Sequence, residues 1–390
     1  MLRMAHRLWQ RARTLLPRHG FFFDRPLVLF QSDDWGRVGL RDHEGLEELQ
    51  AAGLSLGDKP YDFYTLETAE DVAALSQLLK RHRDASGRTP CLGMNFLTGN
   101  LDFRKMADAA FREVLWRSLP DGLPDGWLRP GLFEAYREGV EEGVFWPALH
   151  GLSHFCLPAV ERQLLAETER SALLRSLWKA GTPYIHWRMP WVGYEYWDPS
   201  QAQDERFLSE ELQANAIGAA VGYFAKFFST LPRSACAPGY RANADTHKAW
   251  AHFGVHVAQN GIGTLTAPHL DEFGLLHLYR TLDFEPALSQ DLTVERSMHA
   301  VEDSFARGVP AIVSIHSINF HSSVKDFRSR TLELLDEFLT ALEAKHPDLL
   351  YLHDGDVYDL VQTGCYMADS KPVAVGMTKR SFARGTVAKS

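Results

Sequence analysis

Short apolar runs punctuate the chain, each closed by small or polar residues. Leu27–Phe30, Cys91–Phe96, Val144–Leu149, Ala235–Ala237, Val255–Gln259, Leu275–Leu282, Ala311–Ile315 and Leu349–Leu352 read as buried strands. Between them, stretches of helical character predict helices over Asp42–Ala52, Thr68–His82, Lys105–Trp116, Leu132–Glu142, Ala159–Ala180, Asp204–Phe228, Thr246–Phe253 and Thr331–Lys345. Gly143 and Gly254 stand where a helix C-terminus wants a residue free to turn. Strands alternating with helices imply a parallel sheet. About seven such strands suffice to close a barrel, whose chemistry would gather at the C-terminal strand ends. Asp33–Asp34, His150, Tyr240 and His316 each follow one of the predicted strands.

The expected organisation is a basic helical segment at 1–23, one barrel domain at 24–362, and an extension at 363–390 that ends in a disordered basic tail. Insertions are expected at about 37–90, 98–130 and 181–200. Arg3, Arg7 and Arg11 recur at helical spacing beside Leu8, Trp9, Leu15 and Leu16. Residues 1–18 therefore suit either peripheral contact with an anionic membrane face or a helix packed on the domain.

Composition narrows the picture. The chain has 390 residues, 45% of them hydrophobic, which is ample for a large core. A net charge of −9 argues against nucleic acid as a partner. Cys91, Cys156, Cys236 and Cys365 are far apart and form no CxxC pair, which points to reduced thiols in the cytoplasm. No run reaches membrane-spanning length, and no export signal is recognisable.

Two adjacent carboxylates at the end of a buried strand resist desolvation. Either a cation or a shared proton compensates Asp33–Asp34, or one of them caps the next segment while the other is solvated. His150 and His154 are four apart, on one face if the turn is helical. His252 and His256 share the spacing, but Gly254 interrupts them at a helix end. Two histidines and one carboxylate leave open positions on a divalent metal, as a catalytic site requires. His316, with Ser317, Asn319 and His321 nearby, is a candidate acid, against a core histidine at a strand end. Trp187, Trp191, Tyr194, Tyr196 and Trp197 crowd a proline-rich loop that either covers one end of the barrel or offers sugars a stacking platform.

Ser32-Asp-Asp-Trp-Gly36 resembles the first motif of the polysaccharide deacetylases, carbohydrate esterase family 4. His150-Gly-Leu-Ser-His154 is similar to their second motif, Ala237-Pro-Gly-Tyr240 to the third and Ile312-Val-Ser-Ile-His316 to the fifth. The order agrees from about residue 24 to 360. The resemblance implies a distorted (β/α)7-type barrel and a divalent metal, zinc first among candidates, held by Asp34, His150 and His154. It also implies Asp33 as general base, His316 as general acid and the backbone N–H of Tyr240 as oxyanion donor. Trp35 would wall the site, with Arg241, Trp187, Trp191 and Tyr194 on the substrate. Beside a metal, Asp33 need not be strongly perturbed.

There are departures. The arginine usual two residues before the third-motif proline is replaced by Cys236, and Arg241 is the nearest substitute. The fourth motif is hard to place. Asp283 is the best candidate to support His316, with a buried salt bridge as the alternative for Asp283 and Arg280. The expected activity is removal of an acetyl or other acyl group from a sugar or polysaccharide precursor, lipid-linked or nucleotide-linked. Hydrolysis of a non-sugar amide and a catalytically silent carbohydrate-binding protein are the alternatives.

Overall fold

A computed structural model describes residues 18–185, 188–262, 267–368 and 370–382. Its centre is a curled parallel sheet. The strands are β1 (Leu27–Trp35), β2 (Leu92–Leu97), β3 (Phe145–Gly151), β4 (Ser234–Cys236), β5 (Val257–Asn260), β6 (Leu276–Tyr279), β7 (Leu282–Asp283) and β8 (Ala311–His316). Neighbours run β7-β8-β1-β2-β3-β4-β5-β6. Beyond β6 only the short antiparallel strand His269–Leu270 is added, so the two ends of the parallel run are consecutive in sequence. The segment Leu276–Asp283 leaves β5 and arrives beside β8, breaking at Arg280–Thr281. The Arg280 N–H donates to Asn260 O on one side, and the Thr281 N–H to Ile312 O on the other. Counted as one broken strand, that segment completes a seven-stranded distorted barrel, the architecture expected from the sequence. The single strand predicted at Leu275–Leu282 splits because each end bonds a different neighbour.

β1, β2 and β8 are buried almost throughout, as helices covering both faces of a parallel sheet require. The main core joins Val28 and Phe30 of β1 to Met94 and Phe96 of β2, and to Phe338, Leu339 and Leu342 of the helix Arg328–Lys345.

Several local expectations change. The predicted helix Lys105–Trp116 is confined to Phe103–Asp108, because Ala110 and Phe111 both take left-handed backbone conformations; Trp116–Ser118 then pairs with Gly99–Leu101. Ala159–Ala180 is two helices, Leu157–Leu165 and Glu169–Lys179, broken at the left-handed Glu167. At the N-terminal end, Arg18–Phe23 is a strand rather than helix, paired antiparallel with Met377–Phe382. Residues 371–382 are thus ordered strands, not a disordered tail, with Lys371–Ala374 paired to Cys365–Ala368. The basic helix expected over residues 1–17 and the disorder expected beyond 382 lie outside the described residues. Among the described residues, no helix is long and apolar enough to cross a membrane.

Candidate metal and acid–base site

Successive side chains of a strand point to opposite faces, so Asp33 and Asp34 should not meet in one place. They do because β1 slips register against β2 between Ser32 and Trp35, and Asp34 sits in that slip with φ +74°. Such a bulge re-aims a side chain. A matching slip between β2 and β3 places His150 opposite no residue of β2. Both carboxylates and both histidines then line one cavity of about 300 Å³, with Arg37, Tyr61, Tyr194, Tyr240, Leu288 and His316.

Asp34 Oδ1 lies 3.6 Å from His150 Nε2 and 3.4 Å from His154 Nε2. The two rings are held from behind. His150 Nδ1 donates to the Cys236 carbonyl at 2.9 Å, which leaves the Nε2 lone pair facing Asp34. His154 Nδ1 meets the Tyr184 hydroxyl at 2.8 Å. Fixing one imidazole nitrogen to orient the other is the usual support of a metal-ligating histidine. Asp34 Oδ1 is buried without a hydrogen-bond partner among the described residues. A tetrahedral ion with ligands at ~2.1 Å sets donor atoms roughly 3.4 Å apart. The orphaned oxygen and the two Nε2 atoms fit a divalent cation. The other oxygen, Oδ2, pairs with buried Arg37 at 3.0 Å. Burial opposes the charge of Asp34, but the Arg37 guanidinium holds its carboxyl well below the usual range.

Asp33 is gripped differently. Arg280, fully buried at the break between β6 and β7, donates Nη2 to Oδ1 at 2.6 Å and Nη1 to Oδ2 at 2.8 Å. Asn95 adds a bond to Oδ1 at 2.7 Å. Below them Gln31, Gln259 and Asp354 complete a hydrogen-bonded layer inside the barrel. Burial raises the Asp33 pKa, yet Arg280, His150 and His316 outweigh it and hold the carboxyl far below its ordinary value. The expectation that Asp33 need not be strongly perturbed is therefore corrected: a bidentate guanidinium in a dry site strongly favours the anion.

Arg280 also answers the missing third-motif arginine. Cys236, at that position, lies 3.9 Å from both Asp33 Oδ2 and Arg280 Nη2. The small thiol leaves room for a guanidinium arriving from the neighbouring side of the barrel. Arg241 does not substitute; its guanidinium lies over the Trp197 ring, 4.9 Å from the centroid.

His316 ends β8. Its Nδ1 is 2.6 Å from Glu285 Oε1 and its Nε2 3.8 Å from Asp33 Oδ2. Burial pulls its pKa down, but Glu285 and Asp33 push it up to about 9. The supporting carboxylate is thus Glu285, steadied by Asn319 Nδ2 at 2.5 Å, and not Asp283. Strand alternation would put both on one face, but β7 ends at Asp283, and past that end the chain leaves Asp283 exposed and Glu285 buried.

Other expectations also shift. Trp35 is wholly buried in the core, stacked on Phe320 and donating to Ser32 Oγ, and is no wall of the site. The Tyr240 N–H donates to Ala237 O, so it is not an open oxyanion donor. Its hydroxyl instead faces Asp33 Oδ2 at 3.3 Å and accepts from Arg280 at 2.6 Å. Tyr194 lines the cavity, packed where a Cβ on Gly239 would meet its ring at 2.4 Å. Trp191 packs on the core beneath Arg170. Trp187 lies outside the described residues. Sequence reasoning missed Arg37, Tyr61, Tyr64, Tyr184 and Glu285. Tyr61 and Tyr64 come from the 37–90 excursion, and the Tyr64 hydroxyl donates to the Asp34 carbonyl at 2.8 Å.

No family profile and no curated protein matches this sequence. Solved structures do. A protein from Parabacteroides distasonis, described as a glycoside hydrolase/deacetylase, matches at TM-score 0.52 and 12% identity over 88% of this chain and 72% of its own. A polysaccharide deacetylase from Mycobacterium smegmatis matches at TM-score 0.44 and 11% identity, covering 87% and 91%. A family 4 carbohydrate esterase from Streptomyces lividans matches at TM-score 0.34 and 11% identity, covering 83% and 90%. At these identities the likeness is one of fold. The chain shares its distorted barrel with the Parabacteroides distasonis protein, at a sequence far removed from it.

Proposed function

We propose that this protein is a metal-dependent hydrolase that removes an acetyl or related acyl group from a sugar or sugar-linked precursor. One observation carries the reading: Asp34 Oδ1, orphaned and buried, faces two histidine Nε2 atoms whose rings are anchored from behind. A fold alone does not fix a reaction; the site must.

Asp34, His150 and His154 would hold the ion. A divalent cation bound there would polarise the acyl carbonyl and acidify water. Asp33 Oδ2 accepts a proton from the attacking water. His316, charged at neutral pH, gives its Nε2 proton to the departing nitrogen or oxygen. The 3.8 Å between His316 Nε2 and Asp33 Oδ2 exceeds a direct hydrogen bond, so the proton returns from the aspartic acid to the imidazole through a water, restoring both. The released acyl group keeps the water's oxygen and remaining proton, so the balance closes. Tyr194 and Tyr61 are aromatic walls for a sugar ring.

Arg280 weakens the reading of a silent binding protein, since Asp33 has its guanidinium from another strand. The test is zinc and cobalt binding by calorimetry, together with acetate release from N-acetylated and O-acetylated sugars. One ion per chain is expected, lost in His150→Ala and kept in Asp33→Asn, with acetate release abolished in both. Absence of both metal binding and acetate release would overturn the proposal.

A further inference from the structure

A second cavity of about 490 Å³ adjoins the reaction cavity, and Leu288 lines both. It is built from the turn after β7 and the helix Val294–Ala306. Ile262, Leu282, Leu288, Leu292 and Ala300 give it an aliphatic side, while Asp283, Glu285 and Arg296 bring charge to the rest of the lining. Its volume falls within the usual range of small-molecule pockets. Leu288 and Ile262 are among the large apolar side chains that the protein leaves exposed. Apolar side chains lining a continuous hollow beside a reaction centre mark a place where a ligand supplies the missing contact.

The lining also says what kind of ligand. Sugar rings pair their C–H faces with aromatic rings, and the reaction cavity has Tyr61, Tyr194 and Tyr240 for that. The second cavity has no aromatic ring among its described lining residues. Branched aliphatic side chains instead suit a flexible hydrocarbon. Position says which end of the substrate it belongs to. Glu285, which holds His316 Nδ1, also lines this cavity. The substituent on the atom that His316 protonates is therefore the part that continues past Leu288.

We infer that the second cavity binds an aliphatic chain carried on the leaving-group side of the substrate, making the substrate an amphiphile. This rests on the hydrolase reading above and adds a substrate class to it. The chain lies on the His316 and Glu285 side of the reacting bond, so the acyl group does not enter this hollow.

The test uses two matched ester series on the full chain loaded with zinc: acetates of ethanol, hexanol and decanol, and the ethyl esters of acetic, hexanoic and decanoic acids. Each buried methylene offers up to about a fourfold gain. kcat/KM should climb steeply along the first series and stay flat or fall along the second. Ala300→Phe, which fills the hollow, and Leu292→Asp, which wets it, should each erase the climb while leaving ethyl acetate hydrolysis unchanged. Decanol binding, measured by calorimetry, reads the cavity without turnover. If no ester is hydrolysed but decanol binds the parent and neither variant, the subsite stands and the hydrolase reading falls. A flat first series with ethyl acetate still cleaved, or decanol binding equally to parent and variants, would overturn the inference.

Discussion

Replacing Glu285 with glutamine removes the carboxylate that keeps His316 charged, yet leaves an amide of similar size beside Nδ1 and Asn319. In the parent, burial lowers the His316 pKa, while Glu285 at 2.6 Å, Asp33 at 3.8 Å and the charge of Asp34 raise it, for a net rise from 6.5 to about 9. At ~1.4 kcal/mol per unit, that rise favours the imidazolium by about 3 kcal/mol. Glu285 is the foremost of the raising causes. Without it, burial is opposed only by Asp33 and Asp34, and the pKa should fall well below that of the parent. Titration of carbon-13-labelled histidine in the metal-stripped protein reads this directly. In the loaded enzyme, the basic limb of the acetate-release profile should move down in step. Folding is linked to the same group. A histidine whose pKa is raised on folding contributes its full stabilisation below pH 6.5 and loses it as pH climbs through about 9. Urea melts of the parent should weaken over that window by up to about 3 kcal/mol, and Glu285→Gln should weaken little. An unshifted His316 titration in Glu285→Gln would refute the assignment of Glu285 as the cause.

Three further outcomes follow from the same geometry. Arg280→Met strands Asp33 as a buried charge and should cost about 3–5 kcal/mol in urea denaturation, part of it recovered when Asp33→Asn is added; an unchanged midpoint would contradict that account. Trp35→Phe should lower stability by roughly 1–3 kcal/mol while leaving KM for any substrate unaltered, because the indole packs in the core. Glu195 is buried, and burial raises its pKa from 4.5 to about 7, so its neutral form is favoured in the folded chain and stability declines as pH rises across that range. Glu195→Gln should therefore melt higher than the parent at pH 8 and gain little at pH 5, a difference visible by calorimetry.

The barrel was legible because its strands carry short apolar runs. β1, β2 and β8 are buried almost end to end, and Leu27–Phe30, Met94, Phe96 and Ala311–Val313 supply the apolar residues that mark them. The site was legible where it falls on strand ends: Asp33, Asp34, His150, His154 and His316 do meet. What pattern could not reveal depends on backbone detours and long-range pairing. Trp35 follows two cavity-lining residues, but the register slip turns it into the core. The choice of Glu285 over Asp283 depends on where β7 leaves off. Arg280 serves Asp33 only because the chain crosses between sheet edges there, a closure that no local sequence feature announces. Tyr61 and Tyr64 arrive from an excursion that looked peripheral, and their return is visible only in three dimensions.

The ribbon that joins Arg18–Phe23 to Met377–Phe382 turns the birth of this molecule into a matter of timing. On a ribosome working at about 5–20 residues per second, the earlier strand emerges and then waits roughly tens of seconds for the later one. Throughout that wait Phe21 and Phe23 lack the cover of Tyr366, Ala368 and Val375. Nascent chains should accordingly be stickiest late in synthesis, and a stop codon placed shortly before Cys365 should yield a product that holds on to chaperones.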